Sequence, residues 1–283
     1  MSDSTTIRIE DVRANTRIIG ECRELGDDPS IWRQHFMAQL GQLIGAELLL
    51  GGEVGGCLAG KLQVLGGTAW GFEHGFKLEG YLALGSIFAE GPMKSEMFAA
   101  QVHGIIANQG RGTIHARQQV LSDREWDRSH DYRRISISLG TDDCLHSLQP
   151  TERADYFDSV SICRAPGRRK FGEREVALVQ LVHREIARMV GGALAEYHEP
   201  TPSHLPPRVR QVLRCLLEGD GDKQIAVRLQ LSPYTVNQYT KHIFQHFKVN
   251  SRPELLARWV RRAWGLRSNW DTAVDAPQFA VAG

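Results

Sequence analysis

No stretch of this 283-residue chain contains the roughly 18 consecutive apolar residues that a membrane-spanning helix needs. Met1 to Thr6 are polar and contain no apolar signal core. These two absences set the expectation of a soluble, untargeted, cytoplasmic protein. Cysteine is sparse: Cys22, Cys57, Cys144, Cys163 and Cys215 are scattered, odd in number and never in C-x-x-C spacing. That pattern leaves reduced, mostly structural thiols. Excess charge of one sign is missing as well. The net charge is +1, with 42% hydrophobic and 24% charged residues, an ordinary globular composition. The length favours two domains.

The near-neutral total hides an asymmetry. Between Leu205 and Gly265, eleven Lys/Arg stand against Glu218, Asp220, Asp222 and Glu254, so this piece carries +7 and the remainder −6. A compact basic piece on an acidic larger one points to a polyanionic partner for the small piece alone. The boundary between them is His198-Glu-Pro-Thr-Pro-Ser-His-Leu-Pro-Pro207. Four prolines in ten residues cannot continue a helix. The expected organisation is a domain over 1–197, a Pro-rich linker over 198–204, a second domain over 205–266 and a loose tail over 267–283.

The larger piece opens with helical patterns. Ile7 to Leu25 puts Val12, Ile18, Ile19 and Cys22 near one face. Asp28-Pro29-Ser30 then opens a second helix, with Asp28 or Ser30 as cap and Trp32, Phe36, Leu40, Leu43 and Ile44 as its buried stripe. Seventeen of the 28 glycines lie between Gly41 and Gly112, which favours turns and short strands there. Strands are expected at 47–50, 61–65, 134–139 and 158–163; Tyr81 to Ala89 fits a strand or a short helix. Phe171 to Leu194 has a strong helical period. Helices at both ends with strands between them make an α+β domain. The order of elements, mainly the closing hairpin (about 142–148 and 156–165) and the long helix after it, resembles a GAF-like sensor domain over about 7–196. That resemblance implies either a small-molecule effector or a purely dimerising role. Trp70, Phe72, Phe76 and Tyr81 form an aromatic group that fits a core or the lining of a ligand pocket.

The smaller piece reads as four helices. Pro206-Pro207 starts the first and Gly219 ends it. Asp222 caps the second, which buries Ile225, Ala226 and Leu229. Ser232-Pro233 starts the third, with Val236, Tyr239, Ile243, Phe244 and Phe247 inward. Ser251-x-x-Glu254 matches a capping box for the fourth. Two short helices joined by a tight turn within about 60 residues define a helix-turn-helix unit, whose recognition helix lies in the major groove. Tyr234, Asn237, Gln238, Lys241 and His242 or Gln245 then face outward. Asn and Gln read adenine edges, and Lys241 supplies positive charge. Lys223, Ser232 and Thr235 suit phosphate contacts near helix N-termini.

The residues also match a family. Leu205-Pro-Pro-Arg-x-Arg-x-Val-Leu213, Gly219-x-x-x-Lys-x-Ile-Ala226, Leu229-x-Leu-Ser-x-x-Thr-Val236, Phe247-x-Val249 and Ser251-Arg252-x-Glu-Leu255 resemble the LuxR/NarL-type DNA-binding domain. The resemblance implies base-facing Asn237, Gln238 and Lys241, and phosphate contacts at Thr235 and Lys223. Arg252, inside the matched segment, completes the expected DNA-contacting set. It also implies a homodimer, joined around Leu255 to Trp259, on two half-sites of double-stranded DNA. A small-molecule effector and RNA polymerase are the further partners implied, and no cofactor is required for DNA binding. The chain departs from the family at Val209, where an acid is common, at Gln230 and Lys248, where glycine is frequent, and at Asn237, where a basic residue is common. The last puts the usual operator preference in question.

Sharper chemistries fit less well. Gly55-Gly-Cys-Leu-Ala-Gly60-Lys61-Leu62 nearly spells a P-loop, but Leu62 stands where Ser or Thr must hold magnesium. His242 and His246 are four apart with no third ligand beside them, so no metal site is expected. Cys144 and His146 read as structural, and no catalytic set can be assembled. The expectation is therefore a non-enzymatic regulator. The alternatives are an autoinducer-type sensor regulator, an enzyme addressed to DNA, or a helical docking protein that binds no DNA.

Overall fold

The computed structural model describes residues 7–72 and 91–262. The N-terminal part starts with α1 (Ile9–Glu24) and α2 (Pro29–Ile44). The Asp28 carboxylate accepts the Ser30 and Ile31 N–H groups, so of the two cap candidates Asp28 is the one used, and Gly45 ends α2 at φ +63°. Next come β1 (Leu48–Gly55), β2 (Gln63–Trp70), α3 (Glu96–Ala107) and β3 (Thr113–Ala116). After short helical turns follow β4 (Asp143–Pro150), β5 (Tyr156–Arg164) and α4 (Glu173–Met189). The described strands form one antiparallel sheet in the order β2-β1-β5-β4-β3. The α+β class expected from the sequence is what the structure has.

Period-2 alternation divides the sheet into two covered faces. On one, Leu49, Leu145, Val160 and Ile162 pack on Ile18 of α1, Trp32, Phe36 and Leu40 of α2, and Val182 and Ile186 of α4. On the other, Leu48, Cys144 and Cys163 meet Met97, Trp126 and Leu139.

Inside the first face lies a buried charge cluster. Arg33, 2% exposed, donates to both oxygens of Asp158 at 2.8 and 2.6 Å and to Glu53 at 2.7 Å. Its guanidinium stacks on the rings of Trp32 and Tyr197. Burial alone would raise the Asp158 carboxyl, but Arg33 and the His183 ring hold it below the ordinary carboxylate range.

Three expectations give way. Residues 134–139 are not a strand: Asp131–Ser136 forms a π-helical turn that runs into a helical turn over Ile137–Leu139 and stops at Gly140, φ +77°. Ile135 and Leu139 are four apart, so the alternation Ile-Ser-Ile-Ser-Leu serves a helix equally, and Ile137 is left 55% exposed. The closing helix ends at Met189 rather than Leu194, because Gly191 takes φ +85° and the chain turns back. Val12 is exposed and lies off the buried stripe of α1. Tyr81 to Ala89 and the tail 267–283 lie outside the described residues.

Replacing Arg33 with leucine leaves two buried carboxylates without a cation. Urea unfolding of Arg33→Leu is expected to show a loss of about 3–5 kcal/mol against the parent. A loss within error of zero would mean that the cluster does not organise the fold.

Candidate nucleic-acid interface and buried cavity

The C-terminal part consists of α5 (Pro207–Leu217), α6 (Asp222–Leu229), α7 (Pro233–Phe247) and α8 (Arg252–Arg262). Val209, Val212, Leu213 and Leu216 of α5, Ile225 of α6, Val236, Ile243 and Phe247 of α7, and Leu255 and Trp259 of α8 share one core. The Ser232 hydroxyl accepts the Thr235 N–H at 3.0 Å and starts α7, with Pro233 in its first turn. The N-cap of α6 is Gly221 rather than the expected Asp222, whose carboxylate receives Arg252 instead. Thr240 is buried on the inner face of α7, while Tyr239 and Phe244 are only partly buried.

The outer face of α7 presents Tyr234, Asn237, Gln238, Lys241, His242 and Gln245, all exposed. Tyr234 is 74% exposed. Lys223 is exposed at the start of α6, and the Ser232 and Thr235 hydroxyls lie 2.8 Å apart at the start of α7. The structure therefore brings seven of the eight expected DNA-facing residues to the α6–α7 surface. Arg252 is placed differently: it bonds the Asp220 carbonyl at 2.7 Å and the Asp222 carboxylate, tying the start of α8 to the start of α6. On α8, Leu255 and Trp259 face the core, so the outer apolar residues are Leu256 and Val260, the latter 77% exposed.

Gln230 and Lys248, where the family resemblance expects glycine, both adopt the left-handed conformation, at φ +55° and +52°. Each ends a helix there, which gives the glycine preference its physical cause.

The connection between the two parts is packed on both. The Trp32 indole donates to the Ala195 carbonyl, and the Ala195 N–H donates to Gly26. The Tyr197 N–H points at Glu53 (3.3 Å), and its ring covers Gly66 so closely that a Cβ there would lie 2.5 Å from it. Further on, Glu199 pairs with Arg258 and Arg262, and His246 bonds the Thr201 carbonyl at 2.8 Å. That bond occupies one half of the His242/His246 pair.

A second feature lies on the far face of the sheet, between its strands, α3 and residues 126–141. It is a cavity of about 110 Å³ with Leu50, Val54, Met97, Phe98, Ile135 and Leu139 among its apolar walls. Cys144, His146, Ser159, Ser161 and Cys163 face it from β4 and β5. Burial pushes the Cys163 thiol up to about 12, and burial with His115 nearby brings the His146 ring down to about 4. Both groups are uncharged at neutral pH. Of the aromatic pocket candidates, Trp70 packs on the opposite face beside α2, and Phe72 touches the cluster around Met97 and Trp126 without lining the cavity. Phe76 and Tyr81 lie outside the described residues. The aromatics that line the cavity among the described residues are Phe98 and Trp126, and neither gave a signal in the sequence beyond its hydrophobicity.

Three arrangements look like chemistry and are structural. His183 bonds Ser147 at 2.7 Å and lies 3.4 Å from Asp158, but all three are at most 1% exposed and sit under α4, where no substrate reaches. Glu96, His130 and Asp131 come together as potential metal ligands. Glu96, however, accepts the His130 and Asp131 N–H groups while Asp131 accepts that of Met97, so the two carboxylates cap each other's helical turns. In the P-loop-like turn, the Leu58 and Ala59 N–H groups are filled by the Asp155 carboxylate at 2.7 and 3.2 Å. An internal anion occupies the place a phosphate would take.

Comparison with known proteins bears on the C-terminal part. Residues 203–259 match the family described as bacterial regulatory proteins, luxR family. The C-terminal segment is a LuxR-family helix-turn-helix domain. The chain is 33% identical over 76 residues to a probable HTH-type transcriptional regulator, GfsR, of Streptomyces halstedii, covering 26% of this chain and 31% of that protein. It is 44% identical over 52 residues to the transcriptional regulatory protein FixJ of Azorhizobium caulinodans, covering 18% and 25%. The chain thus spans less than a third of the length of these relatives. Among solved structures, SdiA in complex with octanoyl-rac-glycerol superposes with a TM-score of 0.43 at 12% identity, over 91% of this chain and 97% of that one. The VqsR LBD domain from Pseudomonas aeruginosa superposes with a TM-score of 0.40 at 15% identity, over 61% and 91%. Superpositions this loose transfer no function. Among the described residues no helix is long and apolar enough to cross a membrane.

Two outcomes follow from this geometry. Gln230→Gly and Lys248→Gly are each expected to raise stability by about 0.5–1 kcal/mol in thermal unfolding, since glycine adopts positive φ without the Cβ conflict. Destabilisation by both would contradict the left-handed assignment. The second concerns His146. Its ring gains a proton below about pH 6.5 when unfolded but only near 4 when folded, so the unfolded chain binds more protons in that window. Folding therefore loses up to about 3 kcal/mol at this site as pH falls through the window, and His146→Gln should flatten that part of the decline in urea titrations. Parallel pH profiles for parent and variant would contradict it.

Proposed function

We propose that this chain is a sequence-specific DNA-binding transcription regulator. In this reading residues 205–266 bind double-stranded DNA as a homodimer, 198–204 form the connection, 267–283 a tail, and the 1–197 domain, GAF-like in its order of elements, senses a small effector in the cavity facing β4 and β5. The observation that carries it is the α7 surface. Asn237, Gln238 and Lys241 stand exposed on one face of a helix whose other face is locked into the core, inside the segment that matches the luxR family.

The mechanism follows from groove geometry. α7 enters the major groove; Asn237 and Gln238 offer the paired donor and acceptor that match adenine edges. Lys241, Lys223 and the Ser232, Tyr234 and Thr235 hydroxyls face the phosphates that flank the groove. Arg252 acts one step back, holding α6 against α8. Leu256 and Val260 are the apolar surface for the second copy, which would set two half-sites about one helical turn apart. The cytoplasm, where chromosomal DNA is accessible, is the compartment this activity needs.

Titrating fluorescent genomic fragments with the full chain at two salt concentrations tests the reading. Selective, salt-sensitive retention of a few fragments is the expected result; salt-independent or absent binding contradicts it. Lys241→Ala should weaken binding to all fragments and reduce the slope of log K against log salt by about one. Gln238→Ala should keep the slope and relax base choice at one position. An unchanged slope in Lys241→Ala would move the recognition surface off α7.

A further inference from the structure

We infer that Cys144 and Cys163 form an oxidisable pair, and that a small, uncharged two-electron oxidant entering the cavity joins them into a disulfide that cross-links β4 to β5. The inference gives the chain a redox input and goes beyond the regulator reading without depending on it.

The pairing rests on register. Cys144 of β4 stands directly opposite Cys163 of β5. Opposed residues of an antiparallel pair project from the same face of the sheet, with Cα atoms about 4.5–5.5 Å apart. Disulfides span Cα separations of about 4.4–6.8 Å, so a bond can close this rung without moving the backbone. The other cysteines sit elsewhere. Cys22 packs in the core under α1 and α2, Cys57 beside Phe98 and Phe157, and Cys215 in the core of the C-terminal part. Cys144 and Cys163 alone share one cluster.

The rung is anchored on both sides. In the preceding rung, Asp143 stands opposite Arg164. Asp143 accepts the Phe171 N–H at 2.8 Å and the Gln118 amide at 2.6 Å. Arg164 donates to the Arg169 carbonyl at 2.7 Å and the Gly45 carbonyl at 3.0 Å. Two residues further along the cavity face, His146 and Ser161 bond each other at 3.1 Å. Both backbones are thus fixed next to the thiols, which are held opposite each other before any bond forms.

The cavity supplies access and selects the reagent. Both thiols line it, although each is only 5% exposed. No lysine or arginine is among the residues described as lining it, so a charged reagent would lose its hydration there without gaining a counter-charge. Burial holds both thiols above their ordinary range, Cys163 at about 12, and each protonated thiol is a poor nucleophile. The pair therefore rests reduced and resists chance modification. In a reducing compartment disulfides are mostly transient and redox-sensing, and two protected thiols on one rung fit that class.

With a small disulfide as oxidant the step balances. One cysteine loses its proton and attacks a sulfur of the reagent; the reagent's S–S bond breaks and the departing thiolate takes the proton. The second cysteine then attacks the protein sulfur of this mixed disulfide. The Cys144–Cys163 bond forms, and the second small thiol leaves with the second proton. Two protein thiols are oxidised while one reagent disulfide is reduced to two thiols.

The test equilibrates the full chain, without oxygen, in 2-mercaptoethanol and an excess of uncharged 2-hydroxyethyl disulfide. The sample is quenched in acid, unfolded, alkylated and cut with trypsin. Cleavage after Arg134, Arg153 and Arg164 puts Cys144 on peptide 135–153 and Cys163 on peptide 154–164. The two peptides are expected to appear joined, and alkylated thiols should fall from five to three. Excess 2-mercaptoethanol should reverse both changes. Charged oxidised glutathione at equal concentration should join the peptides about tenfold more slowly. Cys163→Ala, with its fold checked by circular dichroism, should stop at a mixed disulfide on Cys144. Five alkylated thiols at every ratio, or the same scatter of links to Cys22, Cys57 and Cys215 that oxidation in urea gives, would overturn the pairing. Equal rates with the two oxidants, or a new protein partner for Cys144 in Cys163→Ala, would overturn it as well. The peptide map of the parent involves no DNA, so its failure leaves the regulator reading standing.

Discussion

The N-terminal domain is organised around one buried cation. Arg33 reaches from α2 to Asp158 on β5 and Glu53 on β1, and Asp158 extends the cluster to His183 on α4 and through it to Ser147 on β4. Two helices and three strands are thereby referred to a single guanidinium. Replacing such a cluster as a whole by apolar side chains is often neutral or stabilising, because desolvation cancels much of the attraction. Its contribution here is geometric: three charges with fixed partners admit one register of α2 over the sheet, where leucines would admit several.

That cluster also meets the connection to the C-terminal domain. Glu53 accepts the Tyr197 N–H, and the Tyr197 ring lies against both Arg33 and Gly66. Gly52 and Val54, the neighbours of Glu53 in β1, line the cavity on the other face. In a strand, consecutive residues point to opposite sides. A displacement of β1 by an occupant of the cavity is therefore a displacement of the carboxylate that seats Tyr197. Two residues later Glu199 holds Arg258 and Arg262, and Thr201 holds His246 on α7. In the sensor-regulator reading the coupling runs through this short covalent path, and linkage makes it reciprocal: a DNA site that favours one seating of the connection favours the same state of the cavity.

Much of this was legible in the sequence because it is encoded locally. The Asp28 and Ser232-Pro233 helix starts, the 3.6-residue stripes of α2, α4 and α7, and the closing hairpin all depend on residues within a few positions of one another. What was misread depends on partners far along the chain. The Ile-Ser alternation over 134–139 fits strand and helix equally, and the choice is made by Glu96, which accepts the N–H groups at 130 and 131 from 35 residues away. Trp70 fitted either a core or a pocket lining by composition; the choice is made by register with β1, which puts it beside α2 and against the core. Trp126 and Asp131 reach the cavity only because a helical turn places them there, and no spacing rule on a strand pattern would have selected them.

The basic charge of the C-terminal segment shows how a count and a surface differ. Sequence arithmetic gives +7, yet Arg228 is held by Glu218 and Asp220, and Arg252 by Asp222. Arg258 and Arg262 pair with Glu199, an acid outside the segment and absent from its sum. At least four of the eleven cations are thus paired with acids of the protein itself. Exposed Lys223, Lys241 and Lys248 remain on or next to the α6–α7 unit. Salt dependence reports the phosphates neutralised and not the formal charge of a domain. Only cations on or beside the α6–α7 surface can meet phosphates, so in the regulator reading the salt slope follows Lys223, Lys241 and Lys248 rather than the formal +7, and discrimination between sequences falls to the uncharged readers Asn237 and Gln238.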